Sequence, residues 1–192
     1  MPGVHRRMIE RDGQEQARCL SRVTYAPGSS FTAHSHPWGE EILVLSGTFH
    51  DQHGSYPAGT FMRSPHGSTH APGSVTGCEL LVKLRHLTDT DQRRRVIDTL
   101  DPSAGWQPLA SSGGTLRGLW LGGYQLESTW LIEAAAGTEF TLPHPPGHPP
   151  AGEELYDLSS GCWERRPAGV LTQWQALTAT RYWAKVGHLR LA

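Results

Sequence analysis

Hydrophobic residues in this chain occur in many short runs that are separated by turn-forming residues. Segments 17–26, 41–48 and 77–84 are rich in branched and apolar residues and are bounded by glycine or proline. The 22 glycines and 14 prolines leave no room for a long amphipathic helix with sustained i, i+3, i+4 spacing. Short apolar runs between such turns are typical of β-sandwiches and β-barrels, so the pattern predicts an all-β fold.

Further short strands are predicted between these runs. Residues 31–36 and 60–64 each precede a proline-containing turn, and the second turn leads to His70. Residues 88–115 are mostly polar, and we interpret them as a connector in which 96–98 could still form a short strand. The connector divides the chain into two halves.

The sequence of the second half resembles a divergent copy of the sequence of the first half. Three segments recur in the same order: 153–163 resembles 40–49, 167–169 resembles 57–59, and 182–186 resembles 80–84. Such recurrence indicates an internal duplication. It predicts two tandem β-barrel domains, at 1–95 and 96–192, of which the second is degenerate.

Composition excludes several classes of partner. The net charge is −1 and the pI is about 6.8, so neither nucleic acid nor an anionic membrane surface is an expected partner. No stretch has the length of a membrane span, and the first seven residues lack the apolar core of a signal peptide. The three cysteines are widely spread, which argues against a disulfide framework. We expect a cytoplasmic homodimer that binds a small-molecule ligand or substrate.

The spacing of three histidines in the first half is typical of metal ligands. His34 and His36 lie two apart on a predicted strand and therefore project from one face. A Pro-Trp-Gly turn then leads to two glutamates, and His70 follows the later Pro-His-Gly turn. Imidazole suits Zn, Cu, Fe and Ni, and a carboxylate adds Mn. The spacing predicts one divalent ion per chain, whose identity (Zn, Fe, Mn or Ni) it leaves open.

Two motifs carry a resemblance to the cupin superfamily. Gly28-x5-His34-x-His36-x3-Glu40-x6-Gly47 matches the first cupin signature, and Gly59-x5-Pro65-x-Gly67-x2-His70 matches the second, with Ser74 at its final Asn position. The six residues before Gly47 select Glu40 rather than Glu41. The resemblance implies jelly-roll barrels and a metal site formed by His34, His36, Glu40 and His70.

Residues 17–86 resemble more narrowly the cupin domain of ChrR-type anti-sigma factors, through His-Pro-Trp-Gly-Glu-Glu-Ile-Leu-Val-Leu-Ser-Gly and Gly-Cys-x-Leu-x-Val-Lys-Leu. Those proteins also carry an N-terminal helical domain with its own Cys/His zinc site. Here the 33 residues before His34 contain one Cys and one His, so we expect a bicupin without that domain.

The copied half keeps few of these ligands. His144, His148 and Glu153 or Glu154 remain, and the second motif has no histidine. Six of the seven tryptophans lie in this half, where bulky indoles can fill a barrel that holds no ion. An aromatic-lined ligand pocket is the alternative interpretation.

Three functions fit these features. A mononuclear metal-dependent dioxygenase acting on a small organic substrate is the preferred hypothesis. A ChrR-like zinc-binding stress sensor and a non-catalytic small-molecule-binding module are the alternatives. The sequence identifies no catalytic residue beyond the metal ligands.

Overall fold

A computed structural model describes residues 2–14, 16–144, 152–169 and 172–189. The chain divides into two compact units, Met1–Asp101 and Pro102–Ala192. The regular secondary structure of the described residues consists of strands, as the sequence pattern predicts. Among these residues no helix has the length and apolar character needed to cross a bilayer.

The first unit is built from short strands around one long strand. In its described residues these are β1 (Val4–Asp12), β2 (Arg18–Tyr25), β3 (Ser29–Ser30), β4 (His34–His36), β5 (Glu40–Asp51), β6 (Gly54–Pro57), β7 (Thr60–Ser64), β8 (Ser68–His70), β9 (Gly73–Ser74), β10 (Cys78–Leu84) and β11 (Arg95–Asp98). The main sheet has the order β1-β2-β10-β5-β7-β11, and β4 pairs with β8. All these pairs are antiparallel.

Strand β5 belongs to two sheets. Its first part pairs with β7 and β10, and its last residues pair with β6 and β9. The change of sheet occurs at Gly47, whose φ is +70°. A Cβ there would lie 2.0 Å from the carbonyl oxygen of Gly77, so only glycine fits this close approach. A strand that bends from one sheet into another closes the jelly roll around its core.

The core of this barrel contains the inward residues of the main strands. Its buried members are Val23, Tyr25, Ile42, Val44, Phe49, Tyr56, Met62, Cys78, Leu80 and Val82. Cys19, Cys78 and Cys162 are all free thiols. This agrees with the cysteine spacing, which argued against a disulfide framework.

Two parts of the first unit differ from the sequence prediction. Strand β1 was not predicted, because most of its side chains are exposed and its sequence has no apolar alternation. Within the predicted connector 88–115, the possible short strand at 96–98 is present as β11 (Arg95–Asp98), which pairs with β7. The predicted domain boundary after residue 95 falls at the first residue of this strand, whereas the compact units meet after Asp101.

The second unit repeats the barrel with fewer strands. In its described residues these are β12 (Gln107–Pro108), β13 (Ser111–Ser112), β14 (Leu116–Tyr124), β15 (Glu127–Ala134), β16 (Glu139–Phe140), β17 (Glu153–Asp157), β18 (Trp163–Arg166), β19 (Trp174–Gln175) and β20 (Thr180–Val186). One sheet has the order β12-β14-β15-β20-β17-β18, and the other has the order β13-β16-β19. Strands β12 and β13 also lie within the predicted connector.

Strand register supports the internal duplication. Lys83 on β10 lies opposite Glu41 on β5, and Lys185 on β20 lies opposite Glu154 on β17. Both lysines are buried. Glu40 and Glu153 therefore occupy equivalent positions in two tandem barrels of the same kind.

Candidate metal centre

Three histidines converge at one end of the first barrel. Strands β4 and β8 are antiparallel with His34 opposite His70, and strand alternation places His36 on the same face as His34. The ligand nitrogens of these three residues all lie within 4.8 Å of one another. Nε2 of His36 is 2.9 Å from Nε2 of His70. Within the described chain, no other group of at least three His, Cys, Asp or Glu residues is arranged to hold a metal.

A tight turn brings Glu40 to this cluster. Trp38 and Gly39 have φ values of +61° and +70°, and the Trp38 amide donates to Nδ1 of His66 at 2.8 Å. The turn reverses the chain between β4 and β5. Oε2 of Glu40 consequently lies 3.4 Å from His36 Nε2 and 3.6 Å from His70 Nε2. The structure thus brings the four predicted ligands to one place, with Glu40 in contact with two of the histidines.

The Glu40 carboxylate has the surroundings expected of a metal ligand. Its Oε2 atom is buried, and none of the described residues forms a hydrogen bond with it. Burial raises the pKa of Glu40 to about 8; the Arg6 charge opposes this rise and the Asp51 charge adds to it. A buried carboxylate without a partner is costly unless a cation compensates it. Three imidazole nitrogens and one carboxylate form a donor set that fits a first-row divalent metal.

The rings of His36 and His70 are neutral at physiological pH. Burial lowers the pKa of His36 to about 3, with further lowering by the charges of His70 and His34. Burial also lowers the pKa of His70 to about 4, which Asp51 partly opposes. A metal therefore does not compete with protons at these two nitrogens.

Outer hydrogen bonds orient two of the rings. Nδ1 of His34 lies 2.8 Å from the Thr32 carbonyl oxygen, which can only accept, so Nδ1 carries the proton and the lone pair is on Nε2. Nδ1 of His70 lies 3.5 Å from Oδ2 of Asp51. Such outer partners set the tautomer and orientation of metal-binding histidines.

Asp51 is a site residue that the sequence analysis missed. Its side chain is only 3% exposed, and its Oδ1 accepts hydrogen bonds from the Tyr56 hydroxyl at 3.2 Å and the His53 amide at 2.8 Å. In sequence it stands in a polar Asp-Gln-His-Gly turn, where an aspartate is ordinary turn chemistry. Only the pairing of β5 with β6 shows that this turn lies beside His70.

A cavity of about 400 Å³ reaches the cluster from the barrel interior. His34, His36, Glu40 and His70 line it on one side. Most of the other lining residues are apolar, and they include Tyr25, Phe31, Ile42, Phe49, Leu80 and Val82. The volume is within the range of small-molecule sites. The four predicted ligands thus face a space that can hold an organic molecule.

Comparison with known proteins agrees with this geometry. The family model of the ChrR cupin-like domain matches residues 1–88. The first unit is a ChrR cupin-like domain. No curated protein matches the chain in sequence.

Solved structures share the fold of this chain over both units. A proposed dioxygenase from Nostoc punctiforme is 13% identical, with a TM-score of 0.68 over 98% of this chain and 75% of that one. The pirin YhhW from Escherichia coli, solved with nickel(II), is also 13% identical, with a TM-score of 0.63 over 97% of this chain and 92% of that one. AerE from Microcystis aeruginosa has a TM-score of 0.58 at 13% identity, over 97% and 92% of the two chains. At these identities the likeness establishes the fold alone.

The second barrel has a different arrangement at the corresponding place. Nε2 of His144 lies 2.5 Å from Oε1 of Glu153, and Oε2 accepts hydrogen bonds from the Trp174 indole at 2.7 Å and from the Thr172 hydroxyl. Trp174 is buried in the core of this barrel. Protein groups thus satisfy both oxygens of Glu153. The Trp174 indole N–H donates to this carboxylate, which at the equivalent position of the first barrel is a predicted metal ligand. His148, the other histidine predicted to remain, lies outside the described residues.

Proposed function

We propose that this chain is a metal-dependent oxygenase that oxidises a small organic molecule held in the first cupin barrel. The observation that carries this proposal is the contact between the predicted ligands and the 400 Å³ cavity. A purely structural metal site is closed by its protein ligands, whereas a catalytic site keeps room for a substrate. His34, His36, Glu40 and His70 would hold one divalent ion at the edge of that room.

The surrounding residues suit this role. Thr32 and Asp51 orient the rings of His34 and His70, which keeps their lone pairs directed at one point. The apolar walls of the cavity exclude bulk water from the substrate. Tyr25 adds a hydroxyl to the same cavity, where burial raises its pKa, so that it stays protonated and can donate a hydrogen bond.

The choice of metal determines whether oxidation is feasible. Zinc prefers four ligands, so the four predicted residues would complete its coordination. Iron(II), manganese and nickel prefer higher coordination numbers. When bound, iron would supply redox chemistry and open coordination positions at the cavity. The nickel(II) complex of the pirin YhhW is an example of a divalent metal in this fold.

A ChrR-like zinc-binding regulatory domain is the second candidate function. It is favoured by the match of residues 1–88 to the ChrR cupin-like domain. In that case the ion would stabilise the barrel, and the cavity would bind a signal molecule without converting it.

Dioxygen consumption separates the two candidates. The full chain is loaded with iron(II) or with zinc, and oxygen uptake is followed with a panel of small organic acids, alcohols and amides. An oxygenase consumes dioxygen only with iron and only with particular substrates. Uptake equal to that of the His70→Ala variant in every case would reject the oxygenase and favour the regulatory function.

A further inference from the structure

Two arginines line the cavity, and the proposed oxidation makes no use of them. Arg6 lies on β1, and Arg85 follows the last residue of β10. Most other walls are apolar or belong to the predicted ligand set. Cationic side chains in an otherwise apolar pocket orient the ligand and select one that carries a negative charge.

Arg6 is held in place at the open side of the cavity. The residue is exposed and also lines the cavity, so it lies where the cavity meets solvent. Its Nε donates a hydrogen bond to the hydroxyl of Ser21 at 2.9 Å, and Ser21 is fully buried. This bond anchors the guanidinium through Nε. It leaves the paired Nη donors, which bind a carboxylate in a bidentate manner, for a ligand.

Arg85 is positioned by its backbone. Its φ is +61°, an uncommon conformation for a residue other than glycine, and its amide donates to the Gly39 carbonyl at 3.0 Å. One guanidinium nitrogen, Nη1, donates to the Gln16 carbonyl at 2.9 Å. The uncommon backbone conformation therefore places a cation beside the turn that precedes Glu40, and such conformations often occur at ligand sites.

Both charges act on the predicted metal site. Arg6 and Arg85 each interact electrostatically with His36, and Arg6 also interacts with Glu40 and Tyr25. With a divalent ion bound, Glu40 offsets only part of the positive charge around the cavity. An anionic ligand would find a favourable potential there, and a cationic one would be repelled.

We infer that the cavity of the first barrel binds a small organic carboxylate with an apolar body. Its carboxylate lies on Arg6 and Arg85, and its apolar body lies between Tyr25, Phe49 and Leu80, with the reacting carbon toward the histidines. That this ligand is oxidised depends on the proposed function. Its recognition depends only on the two arginines.

Calorimetry with matched ligands tests this recognition without turnover. The full chain is loaded with zinc and titrated with benzoate and with the neutral benzamide, and 4-methylvalerate serves as a second carboxylate. We expect a carboxylate to bind at least about tenfold more tightly than the amide. Arg6→Gln and Arg85→Gln should each remove most of this preference. Arg7→Gln, which changes the same charge on the opposite face of β1, should keep it.

Several results would overturn the inference. They are equal binding of benzoate and benzamide, absence of binding by both carboxylates, and a carboxylate preference that survives in both Arg6→Gln and Arg85→Gln. The last result would mean that the metal alone attracts the anion. Equal zinc content in each variant and the wild type shows that the ligand set is intact.

The outcome is separate from that of the proposed oxygenase. Arginine-dependent carboxylate binding without iron-dependent oxygen uptake would keep the inference and reject the oxygenase. Oxygen uptake with neutral substrates alone would do the reverse.

Discussion

Glu40 and Glu153 occupy equivalent positions in the two barrels, but their carboxylates have opposite surroundings. In the described structure Glu153 accepts hydrogen bonds from Trp174 and Thr172 and contacts His144. Oε2 of Glu40 is buried and has no hydrogen-bond partner among the residues that the structure describes. Without a cation, burial raises the pKa of Glu40 to about 8 and favours its protonated form, whereas hydrogen bonds lower the pKa of Glu153 and stabilise its charge.

The hydrogen bond from Trp174 should stabilise the second barrel. Trp174→Phe removes the donor to Glu153, and we expect the free energy of unfolding to fall by about 1–3 kcal/mol. Trp163→Phe is the matched control, because the Trp163 indole nitrogen is buried and has no hydrogen-bond partner among the described residues. Urea unfolding of the full chain measures both effects. Equal losses in the two variants would show that the hydrogen bond to Glu153 is unimportant.

Asp51 should contribute to metal affinity although it is not a predicted ligand. Asp51→Asn weakens the interaction that orients His70, and we expect metal affinity to fall about 10- to 100-fold. Competition with a chromophoric chelator measures the affinity. Asp89→Asn, at an exposed position, should bind metal as the wild type does. Wild-type affinity in Asp51→Asn would exclude an orienting role.

Metal affinity should rise with pH until Glu40 ionises. The pKa of Glu40 in the metal-free protein is raised to about 8 by burial, whereas His36 and His70 are neutral above about pH 4. Below pH 8 a metal must therefore displace one proton, which comes from Glu40. The affinity should increase about tenfold per pH unit between about pH 6.5 and 8, and level off above this range.

Glu40→Gln provides the control for this pH dependence. The amide carries no ionisable proton, so its weaker metal binding should not change with pH over the same range. A wild-type affinity that is flat between these pH values would contradict the proton displacement.

The sequence predicted the parts of the site that depend on spacing. Strand alternation placed His34 and His36 on one face, and the spacing to Gly47, where β5 changes sheet, selected Glu40 from the pair of glutamates. Degeneracy of the second barrel followed from its missing histidine. These features depend on residues that are close in sequence, or on the spacing of a known signature.

The missed features depend on contacts between distant segments. Strand β1 has mostly exposed side chains, so its periodicity carries no signal, and with it the position of Arg6 was missed. Asp51 is indistinguishable from an ordinary turn residue until β5 and β6 pair beside His70. Within residues 88–115 only the short apolar run at 96–98 suggested a strand, and the two-residue strands β12 and β13 are too short to distinguish from a loop.

The metal content of purified protein tests the central claim most directly. Elemental analysis is made on the wild type, on His70→Ala and on His5→Ala, a control that removes an exposed histidine from β1. Because the proposed site needs His34, His36, Glu40 and His70 together, we predict about one divalent ion per chain in the wild type and in His5→Ala, and loss of most of it in His70→Ala. Undiminished metal in His70→Ala, or two ions per chain in the wild type, would contradict a single site at these residues.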